Sequence, residues 1–342
     1  MATPQLEWYE PNVDEVADGV YRIPLPLPND GLRAVNIYLI SGQDDSPVCV
    51  DSGVAAPEAR EALVGSLATL GLGLDDVSRF LVTHVHLDHY TQAVAIRREI
   101  PVTVSLGSGE RDGIELMCRP NDERLARRFE QLTSNGAGEL AAAIARQTAA
   151  RPPALFDFEM PDDWLRDGDV VDVPGRKLDV VETPGHTRGH VVFHDAAERL
   201  LFAGDHVLST ITPSIGLEAS PSANPLGDFL ASLARMRELP DAQLLPAHGP
   251  VRPSVHARVD ELAAHHAVRL DRTLAAVRAG DTTGFEVAST LTWTRRERAF
   301  DELDMFNQSL AVTETVAHLR LLEAQGRLRR ADEAGTDHYL IA

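Results

Sequence analysis

The stretch HVHLDH, residues 84–89, decides the predicted fold and chemistry of this chain. It comes directly after the apolar run 79–82, which predicts a short buried strand, and before 90–100, which predicts a helix that stops at Pro101. A loop at the end of a strand can turn several side chains toward one point. Imidazole and carboxylate groups are the ligands that zinc and similar divalent ions prefer, so the stretch predicts a metal site.

Three shorter motifs downstream offer further ligands beside small residues. They are PGH with His186, AGD with Asp205 and PAHG with His248, each at the end of a strand-like run. Glycine at such places permits tight turns and a close approach of backbone to a ligand. Each motif alone would be an ordinary turn or core residue. Together with residues 84–89 they predict a dinuclear site assembled from several turns.

The composition is typical of a soluble globular protein. The 342 residues hold 52 acidic against 32 basic side chains, a net charge of -20, and 44% of the residues are hydrophobic. The length exceeds that at which one hydrophobic core usually stops growing, so we expect one large domain and a smaller one. The acidic balance disfavours nucleic acid as a partner.

Cysteine usage and apolar runs predict the compartment. Cys49 and Cys118 form no CxxC pair, which fits a reducing cytosol. The first residues lack the basic flank and apolar run of a signal peptide, and no apolar run reaches the roughly 20 residues of a membrane span. We therefore expect a cytoplasmic protein without a membrane segment.

The order of elements predicts an α/β layered architecture. Short β-rich segments fill 19–53, a helix is predicted over 57–71, and strands alternate with helices up to 107. Strands resume over 169–249 with one helix near 226–237, so two similar halves predict a sandwich of two sheets. Between the halves, residues 110–165 predict a helical insertion. Its aromatic residues form either an apolar lid or the insertion's own small core: Phe129, Phe156, Phe158 and Trp164.

The chain after residue 250 predicts a separate helical unit. Helices are expected over 255–278 and 309–325, with the shorter segment GFEVASTLTW at 284–293 between them, and the last residues form a hairpin that turns at 333–335. Three helices and a hairpin are typical of a winged helix. We predict a catalytic domain over 1–252 and a winged-helix-like domain over 253–342.

On these motifs the sequence resembles the metallo-β-lactamase superfamily. HVHLDH resembles its HxHxDH motif, and PGHTRGH, AGDHVL and PAHGP resemble its later motifs, while VDSG at 50–53 resembles its early VDTG turn. The resemblance covers about 20–250. It implies an αββα sandwich with both metals at one edge of the paired sheets.

The resemblance also implies a role for each ligand position. His84, His86 and His186 would bind a first metal, and Asp88, His89 and His248 a second, with Asp205 bridging the two and Asp88 orienting the nucleophile. A hydroxide shared by the metals would attack an electrophilic carbonyl, so that no serine or cysteine nucleophile is required. Two divalent ions are expected, Zn²⁺ by preference, with iron or manganese as alternatives.

Other residues near the motifs are candidates for supporting or substrate contacts. Asp51 and His190 are candidates for hydrogen bonding to the ligand residues. Tyr90, Arg188, His206 and Thr212 adjoin ligand positions and are either substrate contacts or packing residues. His265 and His266 are adjacent in a predicted helix and point about 100 degrees apart, so a joint metal site there is not expected.

Asp205 narrows the predicted reaction. The best-known zinc β-lactamases have cysteine there, whereas the aspartate resembles the glyoxalase II, thioesterase, lactonase and nuclease branches. The predicted tail departs from glyoxalase II and resembles a lactamase-like group with an endoribonuclease and polyketide thioesterases. Hydrolysis of a thioester or ester is the first interpretation, cleavage of single-stranded RNA the alternative, and a lactonase or β-lactamase-like activity a further one. Besides these hydrolases and nucleases, a further class is a metalloprotein that is either non-enzymatic or a flavodiiron-like redox protein. The sequence shows no flavodoxin-like domain after the predicted metal site.

Charge favours the acyl substrate over RNA. Residues 251–342 carry 12 arginines against 14 acids, and the basic cluster on the predicted wing is confined to 327–330. RNA binding needs several positive contacts to phosphates. The expected partner is therefore a small-molecule or carrier-bound acyl substrate, and a homodimer is left open.

Overall fold

The computed structural model describes residues 7–27, 31–42, 45–119, 121–150, 157–218 and 220–342, and its two larger β-sheets belong to the two halves seen in the sequence. The first sheet has the order β1 to β7, with these bounds: β1 Asp14–Ala17, β2 Val20–Pro26, β3 Ala34–Ile40, β4 Val48–Val50, β5 Arg79–Val82, β6 Thr103–Gly107 and β7 Asp163–Leu165. The strands from β1 to β4 pair antiparallel, and those from β4 to β7 pair parallel.

The second sheet has the order β12-β11-β10-β9-β8, with these bounds: β8 Val170–Val173, β9 Arg176–Glu182, β10 Val191–Asp195, β11 Leu200–Gly204 and β12 Gln243–Pro246. Only β11 and β12 pair parallel, because helix α6 (Pro225–Glu238) connects them. Consecutive strands β8 to β11 are antiparallel neighbours.

The inner faces of the two sheets share one apolar core. Side chains of both sheets, among them Tyr38 and Phe202, belong to a single buried cluster. These two rings meet edge to face with their centroids 5.5 Å apart. β-branched and aromatic residues fill both faces of the central strands, which explains why β3 is buried along its whole length.

Helices cover the outer faces. The remaining bounds are α1 Pro57–Thr69, α2 Leu87–Arg97, α3 Arg111–Met117, α4 Asn121–Ser134, α5 Gly138–Ala150, α7 Val255–Ala279, α8 Gly284–Thr290 and α9 Met305–Ala324. Helices α1 and α2 pack on the first sheet, and α6 and α7 pack on the second. The order helix, sheet, sheet, helix is the αββα sandwich that the sequence predicted.

The predicted insertion differs from expectation in two respects. Its last residues form β7, which extends the first sheet beside β6 and carries Trp164. Those of its aromatic residues that the structure describes also divide between two cores. Phe129 packs against the C-terminal helices, whereas Phe158 stacks on Tyr90 in the core of the first sheet at 6.3 Å. Phe156 lies outside the described residues.

The helices α4 and α5 bury their apolar faces on α8 and α9, and local periodicity cannot identify these partner helices.

The chain after residue 254 has the predicted order of helices and hairpin. Helices α7, α8 and α9 precede the antiparallel pair β13 (Leu328–Glu333) and β14 (Thr336–Ile341). Helix α9 begins four residues earlier than predicted, because Asp304 caps it by accepting a hydrogen bond from the Asn307 amide at 2.9 Å. The division at 252/253 and the winged-helix assignment stay predictions.

In the part of the chain that the structure describes, no helix has both the length and the apolar character needed to cross a membrane.

Candidate metal centre

Neighbouring strand ends bring the predicted ligands together. Strand β5 ends at Val82, and the loop that follows carries His84 and His86, while Asp88 and His89 occupy the first turn of α2. His186 lies in the turn between β9 and β10. Asp205 and His248 follow the parallel neighbours β11 and β12. All of these turns meet at one edge of the paired sheets.

Three histidines form the first set. Nε2 of His84 and Nε2 of His186 each lie 3.0 Å from Nδ1 of His86. Their ligand atoms lie close enough together to hold one ion. Burial lowers the pKa of His86 to about 3 and that of His186 to about 4, so both rings are neutral at pH 7 with a lone pair to donate.

Asp88, His89 and His248 form the second set. Oδ2 of Asp88 lies 3.6 Å from Nε2 of His89 and 3.3 Å from Nε2 of His248. Both rings are buried, whereas the Asp88 side chain is 20% exposed. The carboxylate is therefore the member of this set that a solvent-borne reactant can reach.

The Asp205 carboxylate faces both sets. Oδ2 lies 3.5 Å from Nε2 of His186, and Oδ1 lies 3.6 Å from Nε2 of His89 and 3.4 Å from Nε2 of His248. Its backbone follows Gly204, whose φ of 49° and tight contact with Thr83 leave no room for a side chain. The position is that of a carboxylate able to bridge two ions.

The donor atoms fit divalent cations. Three buried atoms of the site have no hydrogen-bond partner: Nε2 of His89, Nε2 of His248 and Oδ1 of Asp205. Burying such an atom costs free energy unless a further group binds it. Burial lowers the pKa of His89, yet the carboxylates of Asp88, Asp51 and Asp205 outweigh burial and raise it to about 10. This excess of negative charge is what a bound cation would neutralise. All seven predicted ligand residues thus converge, and their assignment as ligands stays a prediction.

Asp51 and His190 make the kind of contact that the sequence suggested. Asp51 accepts from Nδ1 of His89 at 2.9 Å, which directs Nε2 of that ring into the site. Nε2 of His190 accepts from the backbone N–H of Asp205 at 3.1 Å, and Thr183 Oγ1 lies 2.9 Å from its Nδ1. Both residues hold a predicted ligand in place.

Other supporting contacts were missed by sequence reasoning. Nδ1 of His186 donates to the carbonyl of Ser214 at 2.7 Å, and Nδ1 of His248 donates to the carbonyl of Ala34 at 2.8 Å. Thr83 Oγ1 lies 3.0 Å from Nδ1 of His84. Backbone carbonyls carry no residue signature, so no pattern in the sequence could have identified the first two.

The suggested substrate contacts divide into buried and exposed residues. Tyr90 is buried and donates to the carbonyl of Glu159 at 2.7 Å, and His206 is buried against Phe229, so both are packing residues. Arg188 lies at the surface in an ion pair with Asp112 at 3.3 Å. Thr212 is half-buried in the segment after β11.

The histidine pair at 265 and 266 divides between two sides of α7. His265 is exposed and His266 is buried. Nδ1 of His266 instead lies 3.2 Å from Nε2 of His318 on α9.

Comparisons with known proteins agree with this architecture. The crystal structure of the metallo-beta-lactamase family protein TTHA1429 from Thermus thermophilus superimposes with a TM-score of 0.80 at 31% identity, covering 96% of this chain and 100% of that one. The probable metallo-hydrolase YqjP of Bacillus subtilis is 26% identical over 93% of this chain and 96% of its own length. The acyl-coenzyme A thioesterase MBLAC2 of Bos taurus is 29% identical over 71% of this chain and 82% of its own length.

A family model matches the region that contains strands β3 to β12 and every predicted ligand. The model is that of the metallo-beta-lactamase superfamily, and it matches residues 30–248. The chain therefore belongs to the metallo-beta-lactamase superfamily.

Proposed function

We propose that this protein is a dinuclear metal-dependent hydrolase that acts on a thioester or ester of an acyl group. The observation that carries the proposal is the position of Asp205, whose two carboxylate oxygens face different ligand sets at 3.4–3.6 Å. A carboxylate placed between two sets can hold two ions at a short separation, which is the arrangement that hydrolytic dinuclear sites need.

His84, His86 and His186 would hold one ion, and Asp88, His89 and His248 the other. Two such ions, when bound, supply Lewis-acid polarisation of a carbonyl and make water acidic enough to react at neutral pH. Zn²⁺ is our first choice because the donors are nitrogen and carboxylate oxygen, and iron or manganese would accept the same set.

Asp88 is the residue of the site best placed to move a proton. Burial raises the pKa of its carboxyl group, but neighbouring His89 and His248 outweigh burial and hold it well below its usual range. It is therefore an ionised acceptor, and its partial exposure lets it hydrogen-bond and orient a reacting water. Neutral His86 and His186 keep the opposite side of the site free of competing charge.

The thioester class draws support from a relative and from the ligand set. A relative that aligns over 71% of this chain is an acyl-coenzyme A thioesterase. Aspartate at position 205, in place of the cysteine of the best-known zinc β-lactamases, favours the thioesterase and lactonase branches. We propose a small-molecule or carrier-bound acyl compound as the substrate.

The C-terminal region favours this class over RNA. In a nucleic-acid-binding winged helix the third helix enters a groove, but α9 has buried residues on almost every side and contacts α5, α6, α7 and α8. In the predicted basic cluster, Arg327 pairs with Asp271 at 3.6 Å and Arg330 with Asp337 at 3.1 Å. Cations already paired give little affinity for phosphates. We propose that 253–342 is a winged-helix-like packing module beside the catalytic domain 1–252.

The test is a substrate panel with metal-loaded and chelator-treated protein. We expect hydrolysis of acyl-coenzyme A or p-nitrophenyl esters, lost after chelation and restored by Zn²⁺, Mn²⁺ or Fe²⁺. A labelled single-stranded RNA and a β-lactam complete the panel. Full ester hydrolysis in protein shown by elemental analysis to be metal-free would refute the mechanism. Rapid RNA cleavage that tracks metal content would refute the substrate class.

A further inference from the structure

One buried side chain outside the ligand set, Glu110, joins two of the turns that carry predicted ligands. The first turn carries His84 and His86, and the second carries His186. Glu110 lies in the short turn at 108–110 between β6 and α3, and it is 1% exposed. Thr187, the residue after His186, donates its hydroxyl to Oε1 of Glu110. The Glu110 carboxylate therefore touches the second ligand turn directly.

The Glu110 carboxylate also accepts a hydrogen bond from the backbone of the first ligand turn, at Val85. A methyl group placed on Gly113 would be 3.4 Å from Oε2 of Glu110 and 3.9 Å from Cγ1 of Val85, so both side chains face Gly113 of α3. Burial raises the pKa of Glu110 to about 7, and hydrogen bonds from Thr187 and from the backbone of Val85 oppose that rise. Val85 is the residue between His84 and His86.

The backbone around Glu110 lies in close contact with the turn that carries His186. A Cβ atom on Gly189 would lie 1.9 Å from the backbone nitrogen of Glu110, and one on Gly109 would lie 2.8 Å from Cα of Gly189. Real Cβ contacts of this length do not occur, so glycine is required at both positions. The close approach fixes the turn after β6 relative to the turn after β9.

His86 is the ligand residue that most needs this support. Nδ1 of His186 is held by Ser214, and Nδ1 of His84 has Thr83 beside it. The hydrogen bonds described for the His86 ring lead only to the other two histidines of its set. Its position therefore depends on the backbone of its turn, which includes Val85.

We propose that Glu110 is a positioning residue that joins the two ligand turns through Val85 and Thr187 and thereby sets the geometry of the His84, His86 and His186 metal set. The proposal rests on the proposed metal set. An analogous hydrogen bond to a ligand residue contributes about 10–100-fold in metal affinity in other sites. We expect an effect of that size on one of the two ions.

The experiment compares Glu110→Gln and Thr187→Val with native protein and with Glu115→Gln. Glu115 is an exposed glutamate of α3, five residues after Glu110, and serves as the matched control. Metal-free samples are first checked by circular dichroism. The affinity for each Zn²⁺ equivalent is then measured by chelator competition, and the visible absorption of Co²⁺-substituted protein reports the ligand geometry.

We expect both variants to bind one equivalent about 10–100-fold more weakly and to show an altered Co²⁺ spectrum, with the second equivalent and the control unchanged. Native affinity and a native spectrum in both variants would overturn the proposal. Should Glu110→Gln fail to fold, Thr187→Val decides, because it keeps the shape of the side chain and removes only the donor. Native protein that binds no divalent ion would instead refute the proposed function.

Discussion

Oδ2 of Asp51 lies 2.9 Å from Nδ1 of His89, and Asp51 adopts a backbone φ of 62°, in the left-handed region that few non-glycine residues occupy. The strain, of order 1 kcal/mol, is held because the same carboxylate also accepts from the backbone N–H of Thr83 at 2.8 Å. Asp51 and Thr83 follow the parallel strands β4 and β5, so the sheet itself positions the His89 ring.

Asp51→Asn should weaken one metal equivalent about 10–100-fold, because the amide cannot accept from all three donors, which are Nδ1 of His89 and the backbone N–H and hydroxyl of Thr83. Chelator competition measures the affinity. Asp301→Asn, at an exposed aspartate of the C-terminal region, should leave it unchanged. If Asp51→Asn binds metal as tightly as the native protein, the left-handed backbone turn at residue 51 is enough to orient His89 without the carboxylate.

His86→Ala and Asp205→Ala should each reduce kcat by at least about 100-fold while the far-ultraviolet circular dichroism stays native, because the sandwich core contains neither side chain. Metal content is measured in parallel by elemental analysis. Activity within a few-fold of native in either variant would contradict the ligand assignment. Unfolding of both would show that the site stabilises the fold.

Gly189→Ala should lower the free energy of unfolding by about 1–3 kcal/mol, because its new Cβ would overlap the backbone of Glu110. Gly65→Ala is the matched control. Gly65 lies on the exposed side of α1 with no atom near its added methyl, so the free energy should rise by up to about 1 kcal/mol. Urea unfolding measures both, and equal stability of the two variants would contradict the close approach.

A thiol reagent should modify one cysteine in the native protein and a second only after unfolding. Cys118 is exposed, whereas Cys49 is buried in β4, where burial raises the pKa of its thiol to about 12. Cys118→Ser should abolish the native-state reaction with Ellman's reagent. Two fast thiols in native protein would show that β4 opens readily.

The contacts between Arg252 and helix α7 should contribute a pH-dependent part of the free energy of unfolding. Hydrogen bonds from Arg252 and Arg258 lower the pKa of Glu261 from 4.5 to about 2. A lowered folded-state pKa stabilises the protein above the unfolded value, and this contribution is lost as the pH falls from about 4.5 through about 2. The Glu261 side chain is 46% exposed, so solvent screening limits the effect to about 1 kcal/mol.

Urea unfolding of metal-free native protein and Glu261→Gln tests this contribution. The difference between them should be largest near pH 7 and shrink toward pH 2. A difference that grows on acidification would contradict the assignment.

The sequence alone predicted which side chains converge on the candidate metal centre, and it also predicted the order of the layers. The motifs at 84–89, 186, 205 and 248 stand at the ends of strands, and strands of one sheet that run in the same direction end at a common edge, so their convergence follows from the order of the elements. Apolar periodicity likewise predicted most of the strands and helices, because burial on one face imposes period 2 or 3.6.

Only the tertiary structure decided what each surface packs against. Phe129 and Phe158, 29 residues apart in sequence, belong to different cores, and the apolar face of α4 gives no sign that it meets α9. Glu110 also has no motif, because its role arises from two distant turns that approach it. Such contacts depend on the spatial arrangement of segments far apart in the chain, whereas periodicity and motifs report only on neighbours along it.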